Sequence, residues 1–170
     1  MSVQWYTAGM SILLTPTDAP VARTRDSKRI AIFYAGILAI MAIAQLFTFD
    51  TFLELVQSFG FPGGVSYAYF LTAFLVVAEV FALPFLLRMP LSPAFRWVSM
   101  VLGWIAAAIW INITTWLVVQ GSATASVGFL GTVVDIMPSW WVVFMSLTFS
   151  ILAAWSAWGL WPGKRRPIKV

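Results

Sequence analysis

Among the 170 residues of this chain, Glu79 is the residue whose type and position most clearly suggest chemistry. It lies in the apolar run LVVAEVFALPFLL and is the only acid or base well inside a long apolar stretch. An acidic side chain at the centre of a membrane helix costs about 2.5–3.5 kcal/mol on insertion scales. We therefore expect Glu79 to face a partner in the protein interior, to face water, or to carry its proton.

Two interpretations of Glu79 stay open on the sequence alone. The carboxyl could handle protons or orient a ligand, or it could form a structural hydrogen bond that fixes its helix to a neighbour. Pro84, five residues later, has no backbone N–H, so the carbonyl of Val80 loses its helical partner. A kinked helix beside a buried carboxyl favours a polar pocket, although no second titratable group at this depth completes a proton relay.

Counting about 1.5 Å of rise per residue places Glu79 on the cytoplasmic side of the predicted midplane. Three further side chains fall near that depth and complete a candidate pocket for a quinone or a lipid: Trp104, Ser150 and Trp155. For the deep Trp rings, ordinary packing is favoured over the lining of a cavity. The same count places Gln45 and Asn112 in a separate polar layer, in the outer half of the membrane.

The composition excludes several kinds of site. The chain contains no Cys, which excludes disulfides, thiol redox relays and iron–sulfur ligation. It contains no His, which excludes bis-His haem ligation, His-based metal sites and a Ser-His-Asp triad. We find no catalytic constellation and predict neither a metal site nor a certain cofactor, so a non-enzymatic role is favoured.

The overall balance of residues indicates an integral membrane protein. Hydrophobic residues make up 61% and charged residues 9% of the chain, against roughly 45–50% and about 25% in soluble domains. Continuous apolar runs of about 20 residues predict membrane helices rather than barrel strands. Four such runs predict an all-α, antiparallel four-helix bundle: Ile30–Phe49, Ser66–Leu87, Trp97–Val119 and Trp140–Trp161.

All ten basic residues flank the same ends of these spans: Arg23, Arg25, Lys28, Arg29, Arg88, Arg96, Lys164, Arg165, Arg166 and Lys169. The positive-inside rule then predicts a multi-pass protein of the cytoplasmic (inner) membrane with both termini in the cytoplasm. The predicted organisation is a cytoplasmic or interfacial segment (1–29), the four-helix domain (30–161) and a basic cytoplasmic tail (162–170). Basic residues at helix ends favour contact with anionic lipid rather than with nucleic acid.

Three segments outside the spans carry local signals. Residues 1–14 are apolar and uncharged, which favours an interfacial segment. Asp50–Phe59 predicts a short amphipathic helix on the outer leaflet, with Thr51 and Glu54 as a capping box and the Gly-rich turn 60–64 as its stop. The connection 120–139 could rest on the membrane or cover the outer mouth of the bundle.

Small residues at every fourth position predict where the helices approach closely. These stripes are Ala31, Ala35 and Ala39; Ser99, Gly103 and Ala107; and Ser146, Ser150 and Ala154.

The first span, the outer segment ending in GFPGG, and the second span with Glu79 in VVAEVFALPFLL together resemble the DoxX-like membrane proteins. That group includes the methylamine-utilisation E proteins and the membrane subunit of thiosulfate:quinone oxidoreductase. The resemblance covers roughly residues 30–119, and the fourth span fits the helix count. It implies a four-helix bundle that serves as the membrane partner of a redox or assembly system, with Glu79 and the turn 60–64 as the matching positions.

Three functions follow from these observations, in order of preference. The first is a non-catalytic membrane subunit or assembly partner of a larger complex, with a redox complex as one setting. It would bind other membrane subunits or further copies of itself. The second is a quinone- or lipid-binding redox partner that uses the pocket near Glu79. The third is a small proton-coupled transporter, which the lack of internal repeats and of paired broken helices disfavours.

Overall fold

The computed structural model describes residues 16–121, 124 and 126–161. The interfacial segment predicted for residues 1–14 and the basic tail predicted for residues 162–170 lie outside these ranges. Within them, the regular structure consists of five helices and one isolated antiparallel bridge between Thr17 and Leu91.

Four of the helices are long and apolar enough to cross a membrane, with mean hydropathy between 1.6 and 2.3. The five helices, in chain order, are α1 (Arg25–Phe47), α2 (Phe49–Ser58), α3 (Gly64–Leu86), α4 (Pro93–Val119) and α5 (Trp140–Gly159). The predicted four-helix bundle is therefore confirmed. The largest shift in a boundary is at α1, which begins at Arg25 because the Thr24 hydroxyl caps it by accepting a hydrogen bond from the Ser27 amide.

The long helices form a ring in which each packs against two neighbours, in the order α1, α3, α4, α5 and back to α1. Neighbouring helices run antiparallel: the start of α1 lies beside the end of α5, and the end of α3 lies beside the start of α4. We call the end that holds Arg25, Arg88 and Arg96 the basic end, and the opposite end the α2 end.

Small residues occupy the closest contacts, as the stripes predict for α1 and α4. On α1, Ala31 and Ala35 are buried and Ala39 is half-buried, and all three residues of the α4 stripe are buried. On α5 the prediction holds only for Ser146, since Ser150 and Ala154 are half-buried. The buried face of α5 is rotated from the predicted stripe and consists of Val142, Ser146, Phe149, Ala153, Ser156, Ala157 and Gly159.

Helix α2 is amphipathic as predicted and packs its apolar face against α3. Its buried residues are Phe52, Leu53 and Val56. The predicted capping box is wrong: the helix starts at Phe49, so Thr51 lies within it and its hydroxyl donates to the carbonyl of Thr48. The Gly-rich stop is confirmed, since Gly60, Gly63 and Gly64 all adopt positive φ.

The connection between α4 and α5 covers the α2 end of the bundle, the second of the two arrangements considered for it. We call residues 126–136 the plug. Its Val127 and Phe129 side chains are buried, and the Thr132 amide donates to the Thr48 hydroxyl at 3.2 Å. Gly131 has φ +59°, and a Cβ there would collide with Thr48 Oγ1, so this close approach to α1 requires glycine.

At the basic end, residues 16–24 form a strap across the helix termini. Thr17 exchanges two backbone hydrogen bonds with Leu91, and the amide of Arg23 donates to the carbonyl of Gly159 at 3.0 Å. The Arg23 guanidinium lies 4.9 Å from the centre of the Trp158 ring. The strap therefore joins the connection between α3 and α4 to the end of α5.

Candidate functional site around Glu79

Glu79 lies at the centre of the bundle and is fully buried. Its Oε1 atom accepts a hydrogen bond from the indole Nε1–H of Trp110 on α4, at 2.7 Å. The same oxygen accepts a longer hydrogen bond, 3.4 Å, from the Nε2–H of Gln45 on α1. A single carboxyl oxygen thus joins three of the four spanning helices.

Gln45 extends this network to the plug. Besides its contact with Glu79, the side-chain amide of Gln45 donates to the backbone carbonyl of Phe129 at 3.1 Å. The prediction that Gln45 belongs to a separate polar layer is therefore wrong. Asn112, the other residue of that predicted layer, is exposed and donates to the carbonyl of Ala108.

The direction of side chains on antiparallel helices explains why Gln45 reaches Glu79. Each Cα–Cβ bond tilts toward the N-terminus of its own helix. Side chains of α1 and α4 therefore lean toward the basic end, whereas the Glu79 side chain on α3 leans toward the α2 end. Counting the helical rise compares only the depths of the Cα atoms. It therefore placed Gln45 and Glu79 farther apart than their polar side-chain atoms are.

Aromatic rings close the site on the side of the plug. The Phe129 ring lies 4.6 Å from the Trp110 ring and 5.4 Å from the Phe149 ring, centre to centre. The Phe129–Phe149 pair is edge-to-face, an arrangement that aromatic side chains favour. Trp110 thus makes two kinds of contact: its N–H donates a hydrogen bond to Glu79, and its ring packs against Phe129 of the plug.

Among the residues that the structure describes, two polar atoms of this network have no hydrogen-bond partner, Glu79 Oε2 and Gln45 Oε1. Buried polar oxygens without a partner are uncommon in proteins, and they concentrate at functional positions and at places where a proton or ion can bind. Oε2 is therefore the atom at which Glu79 can hold a proton without disturbing the two bonds on Oε1.

The sequence-predicted pocket residues lie in different environments. Glu79 is buried, whereas the side chains of Trp104 and Trp155 are 47% and 48% exposed, on the outer face of the bundle. Ser150 is half-buried, and its hydroxyl donates to the carbonyl of Ser146 at 3.2 Å. The hydrogen-bond partners of Glu79 are instead Trp110 and Gln45, which sequence reasoning did not assign to it.

Trp104 does line a small cavity, which extends between α1, α3, α4 and α5. Its walls include Tyr34, Ser99 and Gly103, and its volume is about 10 Å³, room for about one water molecule. The Tyr34 hydroxyl donates to the Gly103 carbonyl at 3.0 Å and so links α1 to α4.

Ser99 supplies hydrogen bonds to the backbone of α3 where Pro84 interrupts that helix. The Ser99 hydroxyl, on α4, accepts a hydrogen bond from the Phe85 amide at 3.1 Å and donates to the Phe81 carbonyl at 2.5 Å. These two groups would bond to each other in a regular helix. The sequence predicted a freed carbonyl at Val80, whereas the groups that Ser99 bonds belong to Phe81 and Phe85, and sequence reasoning did not identify Ser99 as their partner.

We expect Ser99→Ala to lower the free energy of unfolding by about 1–3 kcal/mol, because it leaves buried backbone groups of α3 unpaired. Unfolding by SDS titration in mixed micelles measures this change. The control is Ser58→Ala, since the Ser58 hydroxyl is exposed and donates to the Leu55 carbonyl of its own helix, so its loss leaves no buried group unpaired. Equal stability of the two variants would show that the Ser99 bridge contributes nothing.

Comparison of the chain with models of protein families, with characterised proteins and with solved structures finds no match. The resemblance to DoxX-like proteins is therefore carried by the residues quoted above alone.

Proposed function

We propose that the protein is a non-catalytic integral membrane subunit, or assembly partner, of a larger membrane complex, and that it acts through its outer surface. The observation that carries the proposal is the closed interior around Glu79. The plug fills the α2 end with the Phe129 ring, and the strap crosses the basic end. Between them, Glu79 joins three helices through hydrogen bonds.

The packing of the core supports this role over that of a carrier. The cavity beside Trp104 and the recess at the basic end each have a volume of about 10 Å³. Such a space holds one water molecule, whereas ligand pockets usually have roughly 300–1,000 Å³. The resemblance to DoxX-like proteins supports a redox or assembly complex as the setting.

Site-specific photocrosslinking in native membranes tests the proposal. A photoreactive amino acid is placed singly at one exposed position on each spanning helix: Ile40, Phe70, Val101 and Phe144. A subunit should crosslink to the same polypeptide from adjacent helices and to lipid from the others. The complex should then survive extraction in mild detergent with a fixed stoichiometry by native mass spectrometry.

Crosslinks to lipid alone from all four positions, together with a monomer in mild detergent, would contradict a role as a subunit. Crosslinks between copies of this chain would assign the surface to a homo-oligomer. Glu79→Gln serves as the internal control, because a variant that keeps the buried contacts should keep the same crosslinks.

The second candidate function is a quinone- or lipid-binding redox partner. Of the four residues predicted for its pocket, only Trp104 is among the walls of the small cavity, which do not include Glu79, Ser150 or Trp155. The half-exposed Trp104 at the mouth of a small cavity favours this function, because a ring system could stack on the exposed part of the indole. Solvent extraction of the purified protein should then yield quinone in a molar ratio near one. Trp104→Leu should reduce the yield, and Asn112→Leu, also on an exposed part of α4, should not.

We propose the cytoplasmic membrane as the location, with the basic end facing the cytoplasm. The charge pattern supports this orientation, since Arg25, Arg88 and Arg96 lie at one end and Glu54 and Asp135 belong to the segments at the other. The third candidate, a proton-coupled transporter, would need a route from one of these ends to Glu79.

Cysteine labelling in this Cys-free chain tests the orientation. Lys28 and Asp135 are both exposed and lie in segments at opposite ends of the bundle, whereas Ser126 in the plug is buried and would label poorly. In intact cells, Asp135→Cys should react with a membrane-impermeant maleimide, and Lys28→Cys should react only after permeabilisation. The reverse pattern would show that the orientation is inverted.

A further inference from the structure

Two arginines at the basic end line one recess. Arg88 lies in the connection between α3 and α4, and Arg96 lies in the first turns of α4. The recess has a volume of about 10 Å³, and its other walls are mostly apolar: Ala19, Pro20, Phe85, Met89, Leu91 and Leu160.

Backbone carbonyls accept every hydrogen bond that these two guanidinium groups make within the described ranges. The Nη2 atom of Arg96 donates to the carbonyls of Thr17 at 2.6 Å, of Asp18 at 3.1 Å and of Leu91 at 3.3 Å. The Nη2 atom of Arg88 donates to the carbonyl of Pro20 at 3.2 Å. Neutral carbonyls satisfy these donors without cancelling their charge, and the negative charge that acts on Arg96 is the nearby carboxylate of Asp18.

Arg88 has a further donor that is not used by any of the residues that the structure describes. Its Nε–H is buried and has no hydrogen-bond partner among them. Its backbone has φ 58°, the only positive φ of a non-glycine residue in residues 16–121, 124 and 126–161. That conformation ends α3, since the amides of Arg88 and Met89 donate to the carbonyls of Phe85 and Pro84.

The surroundings of the recess are those of a membrane interface. The rings of Trp97 and Trp161 pack edge-to-face with their centres 5.2 Å apart, and both are partly exposed. Amphipathic Trp rings at the end of a span prefer the level of the lipid headgroups. Basic pockets between helices at that level are suited to phosphate-bearing headgroups.

We propose that Arg88 and Arg96 form a binding site for the phosphodiester group of an anionic phospholipid. The recess accommodates one phosphate oxygen, which would accept from Arg88 Nε–H and lie between the two positive charges. The apolar wall formed by Phe85, Met89 and Leu160 would then contact the glycerol and the first methylene groups of the lipid. Guanidinium groups suit this role because they bind phosphate oxygens through several N–H donors at once.

Native mass spectrometry of the full chain tests the site, with titration by phosphatidylglycerol or by phosphatidylcholine of the same acyl chains. Arg88→Gly removes the guanidinium and tolerates the positive φ, so it should fold normally and bind phosphatidylglycerol about tenfold more weakly. Arg88→Asn, which also tolerates this φ, should behave alike. Arg25→Ala is the matched control, because it removes one exposed charge from the same end.

Three results would overturn the proposal. An equal loss of binding in Arg88→Gly and Arg25→Ala would indicate diffuse charge attraction instead of a site. Equal binding of the two lipids by the unaltered protein would show that the negative charge of the headgroup is not recognised. Displacement of phosphatidylglycerol by millimolar glycerol phosphate, but not by further lipid, would assign the recess to a soluble phosphate instead of a phospholipid.

Discussion

Glu79→Leu should lower the free energy of unfolding by about 1–3 kcal/mol, whereas Glu79→Gln should leave it nearly unchanged. Leucine removes the acceptor of the Trp110 indole N–H, and this buried donor has no other hydrogen-bond partner in the part of the chain that the structure describes. Glutamine keeps an oxygen that can accept from both Trp110 and Gln45. SDS titration of the purified protein in mixed micelles measures both variants on one scale.

A double-mutant cycle separates the lost hydrogen bond from the change in packing. Trp110→Phe removes the N–H donor, so Glu79→Leu should cost less in that background than in the unaltered protein. Additive effects of the two substitutions would show that the 2.7 Å contact contributes no coupling energy.

The same pair of variants distinguishes the two interpretations of Glu79. A structural carboxyl predicts that Glu79→Gln keeps both the fold and the partner crosslinks. A carboxyl that exchanges protons or orients a quinone predicts that Glu79→Gln folds normally but loses that activity, because the amide cannot carry the proton in the same way. Loss of crosslinks at unchanged stability would contradict the purely structural interpretation.

The spans were predictable from the sequence because membrane helices are specified by composition along a single segment. A run of about 20 apolar residues is sufficient, and the four runs agree with α1, α3, α4 and α5 to within a few residues. The stop after α2 was predictable for the same local reason, since Gly60, Gly63 and Gly64 adopt the positive φ that glycine tolerates.

The partners of Glu79 depend on contacts between segments far apart in the sequence. Gln45 and Trp110 lie 34 and 31 residues from Glu79. Only the leaning of side chains on antiparallel helices brings their polar atoms together. The sequence could nevertheless have suggested Gln45 and Trp110 as partners. A buried carboxyl needs hydrogen-bond donors, and these two side chains supply N–H groups from neighbouring helices.

The features that the sequence analysis missed also depend on contacts between separate segments of the chain. Thr51 matched a capping box in its local pattern, but α2 follows α1 after Thr48 alone, so the helix starts earlier than the pattern indicated. Ser99 matched a stripe of small residues, and its hydroxyl could be assigned to the interruption at Pro84 only once the pairing of α3 with α4 was known. The conformation of the plug depends on both α1 and α2, and the sequence left it open.

Phe129→Ala should have the largest effect on stability, lowering the free energy of unfolding by about 3–5 kcal/mol, as truncation of buried Phe residues typically does. Its ring fills the space between Trp110 and Phe149 and is 3% exposed. Removing the ring takes away packing for the plug and leaves a space directly beside the Glu79 network. SDS titration in mixed micelles measures the loss.

The matched control is Phe144→Ala, which truncates an exposed Phe on α5 and should change the stability little. A second measurement tests whether the plug shields Glu79. It uses an apolar carbodiimide, which modifies protonated carboxyls that it can reach. Peptide mass analysis should find Glu79 modified in Phe129→Ala and protected in the unaltered protein and in Phe144→Ala. Equal modification of Glu79 in all three proteins would show that the Phe129 ring does not close the site, because the carbodiimide would then reach Glu79 whether or not that ring is present.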